Sequence, residues 1–375
     1  MKIAVTLHQI TRRGGICKVA SALIDRFVEE HEVHLITARI TTPIEGLIVH
    51  KTPLIWKPMF MEIGSAVYFN TTTANRLRRQ IGFDVVHSHG AEMLGPDVIT
   101  AHSCHKAAIA DLEKHRGCGY GLMKRLEPMS NIVLAVERHN YAGGNYRKII
   151  SVSQGVKREI MRLYGVPDED ITVIPNGVDL QEFNPENRGV YSRETREKLG
   201  ISMEDTVLMT TSWEYKRKGL RHIVDALPLT PEDVKLMVVG RDDEGPYRRQ
   251  AEKLGVKDRL IFAGTTSDIR RYYAAADIFV FPTSYEAFSL ATLEAAASGL
   301  PLLTTKVNGT EELVKDGYNG HFIERDGTDI AEKIGWLADR GIRRMGEQSR
   351  KTAESYSWDD IAERTLGVYE EVSRN

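Results

Sequence analysis

Short apolar, β-branched runs alternate with helical patterns along most of the chain, and this alternation constrains the fold more than any other feature. The run at 2–7 is typical of a strand, and it is followed by Gly14-Gly15 and by apolar residues at helical spacing from 16 to 28. Another strand pattern, at 32–38, comes next. A strand, a helix and a strand in this order predict a parallel sheet with right-handed crossovers.

The same alternation restarts in the second half of the chain, which predicts two domains. A length of 375 residues fits two domains of about 100–200 residues each. The turn signal Pro175-Asn176-Gly177-Val178 precedes a polar stretch that reaches Gly200. We therefore predict an α/β fold with Rossmann-like domains at 1–175 and 176–355, facing each other across a cleft. The last helix, at 356–375, is expected to pack back toward the first domain.

Charge and cysteine content exclude several classes of protein. Lysine plus arginine number 50 and aspartate plus glutamate 52, a net charge of -2 that argues against a dedicated nucleic-acid binder. The N-terminus lacks the pattern of a signal peptide, and no apolar run approaches the ~18 residues of a membrane-spanning helix. Three cysteines do not suggest a disulfide framework. We expect a soluble cytoplasmic protein with reduced thiols.

The stretch FPTSYEAFSLATLEAAASGLPLL, residues 281–303, places two glutamates in an otherwise apolar setting. Glu286 follows a predicted buried strand, and Glu294 falls in the first turns of a helix that Ser289 is expected to cap. The amides of the helix N-terminus form an anion site, at Phe288, Ser289 and Leu290. A phosphate on these amides would leave both carboxylates free to accept hydrogen bonds from sugar hydroxyls. The alternative is that Glu286 caps a helix and Glu294 is solvated.

This segment resembles the signature of glycosyltransferase family 4, a large retaining family of GT-B architecture. The resemblance rests on Glu286, on Glu294-Ala295 and on Gly299-Leu300-Pro301. It extends over essentially the whole chain, because further elements follow in the family's order: Gly14-Gly15, Pro175-Asn176-Gly177-Val178, Arg217-Lys218-Gly219 and the stretch from Glu311 to Gly320. The second half is also similar to bacterial lipopolysaccharide-core glucosyltransferases.

The resemblance implies a donor site for a nucleotide-diphosphate sugar, with UDP favoured. Glu286 would face the transferred hexose and Glu294 the ribose. Arg217 and Lys218 would stabilise the leaving diphosphate in place of a metal ion, so neither a metal nor another cofactor is expected. The donor-binding residues so implied are Gly14, Gly15, Arg217, Lys218, Arg241, Thr265, Glu286, Phe288, Ser289, Leu290 and Glu294.

The acceptor side is expected in the first domain, near Gly15, His89 and His102. The resemblance makes His102 catalytic, together with Glu286, Lys218 and Arg217. Four histidines cluster here, at 87, 89, 102 and 105, and a metal site is the alternative; His87 alone is more typical of a core residue. The predicted helical region 106–141 has a basic, partly amphipathic surface. That surface fits either a peripheral contact with the inner face of the cytoplasmic membrane or a solvated helix face.

Two positions depart from the family's pattern. Ala287-Phe288-Ser289 stands where Gly-Phe-Gly is usual after the first glutamate, and Ser212-Trp213 stands where many members carry an arginine. The first departure bears on the geometry of the loop that follows Glu286. The second bears on one of the contacts that the resemblance implies with the diphosphate of the donor.

The expected function is that of a retaining glycosyltransferase. It would move a hexose from a nucleotide sugar to a glycan or lipid-linked acceptor in cell-envelope glycan synthesis. The alternatives are a non-catalytic nucleotide-sugar-binding protein and another GT-B enzyme, such as a sugar-nucleotide epimerase.

Overall fold

The computed structural model describes residues 1–11, 14–116, 123 and 127–374. The chain forms two compact units. Unit 1 comprises Met1–Gly177 together with Trp358–Asn375, and unit 2 comprises Val178–Ser357. The sequence analysis places its limits after residues 175 and 355. Within the described ranges, no helix is both long enough and apolar enough to span a membrane.

The strands of unit 1 run parallel and form two sheets. Their bounds are β1 Lys2–Thr6, β2 Gln9–Ile10, β3 Glu32–Thr37, β4 Arg39–Ile40, β5 Ile48–Lys51, β6 Val85–His89, β7 Val98–Ala101, β8 Lys148–Ser151 and β9 Ile171–Val173. The main sheet has the order β5-β3-β1-β6-β7-β8-β9, and β2 pairs with β4. Strand β6 is buried along its whole length, as expected for a parallel strand covered on both faces.

Helices connect these strands. Their bounds are α1 Gly15–Glu30, α2 Met59–Ile81, α3 His105–Arg116, α4 Pro128–Glu137 and α5 Gln154–Tyr164. The predicted helical region at 106–141 therefore contains most of α3 and all of α4, and a π-helical turn at Arg138–Ala142 follows α4. Lys124, Arg125 and most of the apolar positions between these helices lie outside the described residues.

The last helix of the chain, α14 Trp358–Arg374 (the helices of unit 2 precede it), packs against α1 and β6. Tyr369 joins the two elements, because its ring packs edge-on against Phe27 and its hydroxyl bonds His87 Nδ1 at 2.5 Å. The other ring nitrogen of His87 bonds Thr100 Oγ1 at 2.7 Å. His87 is fully buried, so the core interpretation of this histidine is correct.

This buried histidine makes the stability of unit 1 sensitive to acid. Burial lowers the pKa of His87 to about 3. Between that value and the unfolded pKa of about 6.5, the unfolded state binds the proton and the folded state does not, so stability falls as the pH falls. In His87→Gln, the loss of unfolding free energy between pH 7 and pH 5 should shrink by about 2 kcal/mol. Urea unfolding at both pH values measures this. The exposed His139→Gln should show the full wild-type loss, and an equal loss in both variants would contradict the prediction.

Unit 2 repeats this architecture, and its six strands follow the same order as the first six strands of the main sheet in unit 1. Its strands are β10 Thr206–Ser212, β11 Val234–Gly240, β12 Leu260–Gly264, β13 Ile278–Phe281, β14 Leu302–Thr304 and β15 Gly320–Phe322. They form one parallel sheet in the order β12-β11-β10-β13-β14-β15. The helices are α6 Asn187–Leu199, α7 Leu220–Ala226, α8 Gly245–Lys253, α9 Arg270–Ala275, α10 Leu290–Ala297, α11 Thr310–Leu313, α12 Gly327–Arg340 and α13 Ile342–Ala353.

The polar stretch after Val178 contains helix α6, which packs against α9. Arg196, near the end of α6, is 1% exposed. Its guanidinium bonds Asp277 at 2.7 Å and also donates to the carbonyl oxygens of Ala275, Ser202, Met203 and Asp205. Helix α6, whose sequence is polar, is therefore attached to unit 2 through the buried guanidinium of Arg196.

Candidate functional site

Two neighbouring strands of unit 2 bring the predicted basic pair and the first glutamate together. Strands β10 and β13 pair in parallel, so their carboxyl ends meet at the same edge of the sheet. The loop after β10 carries Arg217 and Lys218, and the loop after β13 carries Glu286. Although 69 and 68 residues separate the two cations from the glutamate, all three side chains are in contact.

One carboxylate oxygen of Glu286 receives three donors. Lys218 Nζ and Arg217 Nη1 donate to Oε1, the latter at 3.1 Å. Thr283 Oγ1 donates to the same oxygen at 2.9 Å. Arg217 Nη1 also donates to the carbonyl oxygen of Tyr285 at 2.5 Å. The side chains of Lys218 and Glu286 are only 14% and 11% exposed, so this is a nearly buried ion pair that holds the carboxylate in one place.

Burial and charge act in opposite directions on the two cations. Burial lowers the pKa of Lys218, and the negative charge of Glu286 offsets only part of that effect. Burial also acts to lower the pKa of Arg217, but the charges of Glu286 and Glu214 outweigh it and raise the pKa overall. Partly desolvated cations at strand ends are well suited to stabilise a phosphate.

Glycines allow the loops around this cluster to approach one another. Gly219 follows the basic pair with a φ of 75°, and a Cβ there would lie 2.1 Å from the carbonyl oxygen of Pro282. Gly309 has a φ of 77°, and a Cβ there would lie 2.6 Å from the Cα of Phe288. Any other residue at either position would push the loops apart.

The second glutamate lies on α10, which begins after Ser289 as predicted. Ser289 Oγ accepts from the amide of Thr292 at 3.2 Å, which is the bond of an N-cap. Glu294 is only 9% exposed, and the hydroxyl of Tyr273 donates to its Oε2 at 3.2 Å. The solvated alternative for Glu294 is therefore wrong, because the side chain faces the interior of the unit.

The departure at 287–289 introduces no backbone strain. Among the described residues, positive φ values occur only at glycines, so Ala287 and Ser289 have conformations that any residue adopts. Phe288 is buried and lies 6.2 Å from the ring of Tyr356, and Ser289 supplies a capping hydroxyl that glycine lacks. The second departure, Trp213, is exposed immediately after β10.

The two residues expected near the nucleotide base also follow strand ends. Arg241 comes after β11, is exposed, and its amide donates to the carbonyl oxygen of Ser212 at 3.1 Å. Thr265 comes after β12 and is exposed. The predicted donor residues of unit 2 thus lie after the carboxyl ends of four strands, β10 to β13, which are neighbours in the sheet.

In unit 1, His89 and His102 come together at the carboxyl ends of β6 and β7. His89 Nδ1 lies 3.0 Å from His102 Nε2, and the rings are stacked. Burial lowers the pKa of His89 well below its usual value and that of His102 to about 4, so both are neutral at pH 7 and one donates to the other. Each of these histidines therefore has one ring nitrogen occupied by the other. Among the described residues, no group of three or more potential ligands could hold a metal ion.

These histidines line a cavity of about 190 Å³ in unit 1. Ile16, on the first turn of α1, lines the same cavity, which places it beside Gly15. Gly14 precedes α1 with a φ of 89°, a conformation that favours glycine. Gly14, Gly15, His89 and His102 therefore belong to unit 1, and the other predicted site residues belong to unit 2.

A carboxylate that the sequence analysis did not single out also lines this cavity. Glu92 Oε1 lies 2.7 Å from His8 Nδ1, and Oε2 accepts from the amide of His8 at 2.9 Å. Burial acts to lower the pKa of His8, but the bond to Glu92 and its charge raise it overall. Both residues follow strands, Glu92 after β6 and His8 after β1, but only the pairing of these two strands in the sheet brings them together.

A second buried carboxylate, Glu137, holds α3 in place. Its oxygens accept from the amides of His105 at 2.7 Å and Lys106 at 3.4 Å, and from the hydroxyl of Tyr164 at 2.5 Å. Burial raises the pKa of Glu137 despite these donors. The ammonium of Lys106 donates to the carbonyl oxygen of Leu163 and lies 5.1 Å from the Tyr164 ring centroid, so this lysine is not simply solvated.

Two parallel-sheet units with this site define a glycosyltransferase of GT-B architecture. A family model described as Glycosyltransferase Family 4 matches residues 13–182, and one described as Glycosyl transferases group 1 matches residues 204–340. The chain belongs to glycosyltransferase family 4, as the sequence analysis expected. This membership replaces the alternatives of an epimerase and of a non-catalytic binding protein.

Curated relatives agree with this assignment. An uncharacterized glycosyltransferase of Methanocaldococcus jannaschii, MJ1607, is 26% identical over 98% of both chains. The lipopolysaccharide glucosyltransferase WaaG of Escherichia coli K12 is 29% identical over 65% of this chain and 63% of its own length. A D-inositol 3-phosphate glycosyltransferase of Xylanimonas cellulosilytica is 31% identical over 60% of this chain and 57% of its own.

Solved structures share the fold at lower identity. WaaG superposes with a TM-score of 0.79 at 23% identity, over 98% of this chain and 99% of that chain. Anabaena HepE, solved in complex with UDP and glucose, has a TM-score of 0.72 at 17% identity, over 99% of both chains. These likenesses establish the GT-B fold.

Proposed function

We propose that this glycosyltransferase moves a hexose from a UDP-sugar to a hydroxyl of a glycan or lipid-linked acceptor, with retention at the anomeric carbon. The observation that carries the proposal is the cluster of Glu286, Arg217 and Lys218 at the carboxyl ends of β10 and β13. It holds two partly buried cations against one fixed carboxylate, an arrangement suited to a charged nucleotide and a hydroxylated sugar.

Each residue of this cluster has a distinct part in the proposed step. The bond from the anomeric carbon to the diphosphate oxygen breaks, and the bond to the acceptor oxygen forms on the same face. The leaving phosphate oxygen takes the acceptor's proton. Arg217 and Lys218 stabilise the charge that grows on the diphosphate, while Glu286 accepts hydrogen bonds from the hexose.

The proposed donor is a uridine diphosphate sugar. HepE, which shares the fold, has been solved with UDP and with UDP-glucose, and WaaG is described as a glucosyltransferase. Glu294 is proposed to bind the ribose: it lies on α10, eight residues after Glu286, with the hydroxyl of Tyr273 fixing one of its oxygens.

We predict that UDP stabilises the protein and that EDTA leaves this effect intact, because the two cations are proposed to do the work of a metal ion. At a concentration of about 100 Kd, UDP should add about 2.7 kcal/mol and raise the Tm of the unit it binds by several degrees. A thermal-shift series with UDP, GDP and ADP, with and without EDTA, measures this. Lys218→Met should reduce the shift, and Lys257→Met, at an exposed lysine of the same unit, should keep it.

Two results would contradict this proposal. A shift that disappears in EDTA would contradict a metal-free donor site, and a protein that no nucleotide stabilises would contradict the donor site itself. Retention has its own measurement, the anomeric configuration of the first product by NMR, and an inverted product would overturn the same-face step. The expected cytoplasmic or peripheral membrane location, and the expected lack of nucleic-acid binding, stay predictions.

A further inference from the structure

We propose that the acceptor is an amphiphile, whose hydroxyl-bearing head group enters the cavity of unit 1 and whose apolar chain lies along an exposed apolar surface beside it. This inference rests on the proposed function, because it names the class of acceptor that the enzyme would take. The reasons are the polarity of the cavity, its size, and the continuity of one wall with exposed apolar side chains.

The cavity has a polar end suited to hydroxyl groups. Its lining includes the Glu92 carboxylate and the rings of His8, His89 and His102. The carboxylate can only accept hydrogen bonds, and the neutral imidazoles of His89 and His102 can both donate and accept. Vicinal hydroxyls offer the complementary donors and acceptors, so a sugar or polyol head group fits this end.

The cavity is too small to hold a whole acceptor of the proposed kind. Its volume of about 190 Å³ corresponds to roughly six water molecules, whereas pockets for small ligands usually measure about 300–1,000 Å³. The end of the acceptor fits inside. The remainder can reach the surface where the lining is exposed, at Ser103 and at Ile16, which is 40% exposed.

One wall of the cavity continues outward along α2. Ile63 and Ala66 line the cavity from this helix, three residues apart. Phe60 precedes Ile63 by another three residues, so helical periodicity places it on the same face, one turn nearer the start of the helix. Phe60 is 38% exposed. The apolar wall thus extends from the interior of the cavity to the surface.

Phe60 belongs to an apolar rim that we define as Ile55, Trp56, Phe60 and Met61. These side chains are between 38% and 47% exposed. The rim is attached to α2, because the amide of Ile55 donates to Ser65 Oγ at 3.0 Å and the amide of Met61 donates to the carbonyl oxygen of Pro58 at 2.8 Å. Four large apolar side chains exposed within seven positions of the chain are typical of a binding surface.

The continuity of wall and rim favours the acceptor's own chain as the occupant. A group that covers the rim is next to the molecule in the cavity, so one molecule with a polar end and an apolar end satisfies both surfaces. A separate protein partner would cover the rim without any need for the wall to extend into a polar cavity. The guanidinium of Arg39, 5.9 Å from the Trp56 ring centroid, adds a cation beside the rim.

Alkyl glycosides test this inference. Octyl β-glucoside, below its critical micelle concentration, and methyl β-glucoside share a head group and differ only in the chain. In calorimetric titrations without nucleotide, the octyl compound should bind at least about tenfold more tightly, since burial of a few methylene groups is sufficient for this ratio. The rim variant Trp56→Gln/Phe60→Gln should reduce the ratio below about threefold, and Glu92→Gln should weaken both compounds. Leu229→Gln, an exposed apolar position of unit 2, should keep the wild-type ratio.

Three outcomes would overturn the inference: equal binding of the two glycosides, no binding of either, or an octyl preference that survives in the rim variant. The last would mean that something other than the acceptor's chain, such as a protein partner, covers the rim. Failure of the proposed function looks different, because UDP binding to unit 2 is measured separately. A protein that UDP stabilises but that shows no octyl preference would keep the proposed function and lose this inference alone.

Discussion

Glu286→Gln should lower turnover by about 10²–10³-fold, which is typical for the loss of one fixed electrostatic contact in a transition state. The change keeps the shape of the side chain and removes its charge. One carboxylate oxygen of Glu286 accepts hydrogen bonds from Lys218, Arg217 and Thr283. The variant therefore loses the negative charge that pairs with both cations. Hydrogen bonding of the amide to the hexose would also be weaker, because an ionised acceptor makes the stronger bond.

Nucleotide affinity should change much less in this variant. Arg217 retains its charge and its bond to the carbonyl oxygen of Tyr285. The UDP-induced thermal shift should therefore remain, while single-turnover rates show the loss. The pKa of Lys218 is already lowered by burial, and removal of the Glu286 charge should lower it further, so the remaining activity should decrease toward high pH.

The matched control is Glu214→Gln. Glu214 also pairs with Arg217, at 2.7 Å, but its side chain is 54% exposed and it lies on the same loop as the arginine. The same change of charge beside the same cation should leave turnover within about threefold, since exposed ion pairs contribute little. Equal losses in the two variants would mean that Glu286 acts only through the general charge of the loop. Wild-type turnover in Glu286→Gln would contradict the assignment of the site.

Arg196→Met should destabilise unit 2 by about 3–5 kcal/mol, the usual cost of removing one partner from a buried charged network. The variant keeps a long side chain of similar length but removes the guanidinium from four carbonyl oxygens, of which that of Ser202 keeps the amide of Asp205 at 3.3 Å. Asp277 would keep its bonds from Arg188 and from the amide of Val207. The loss of stability therefore comes mainly from the carbonyl groups that no longer receive the guanidinium. A smaller part comes from the one hydrogen bond that Asp277 loses.

Chemical unfolding followed by fluorescence or circular dichroism would measure this loss, with Arg343→Met as control. Arg343 pairs with Glu347 at 3.3 Å, but its side chain is 94% exposed. Its replacement should produce no resolvable change, because the median exposed ion pair is worth about 0–1 kcal/mol. If Arg196→Met unfolds at the same denaturant concentration as the control, the network has no structural role.

The sequence by itself determined the local structure and much of the chemistry. The alternation of strands and helices predicted parallel sheets, and Ser289 marked the start of α10 because a side-chain oxygen at that position can accept a backbone amide. Glu286 was predicted as a site residue from its position after a buried strand together with the family resemblance of the segment around it. Family membership followed from motifs spread along the chain, and the comparisons confirmed it.

Only the tertiary structure decided which distant residues meet. Glu92 contacts His8 across 84 positions, Arg196 contacts Asp277 across 81, and His87 contacts Tyr369 across 282. These pairs depend on the order of strands in the sheet and on where helices pack, which a local pattern of apolar residues does not encode. For the same reason a polar segment such as α6 reads as solvated until the sheet places a buried carboxylate against its arginine.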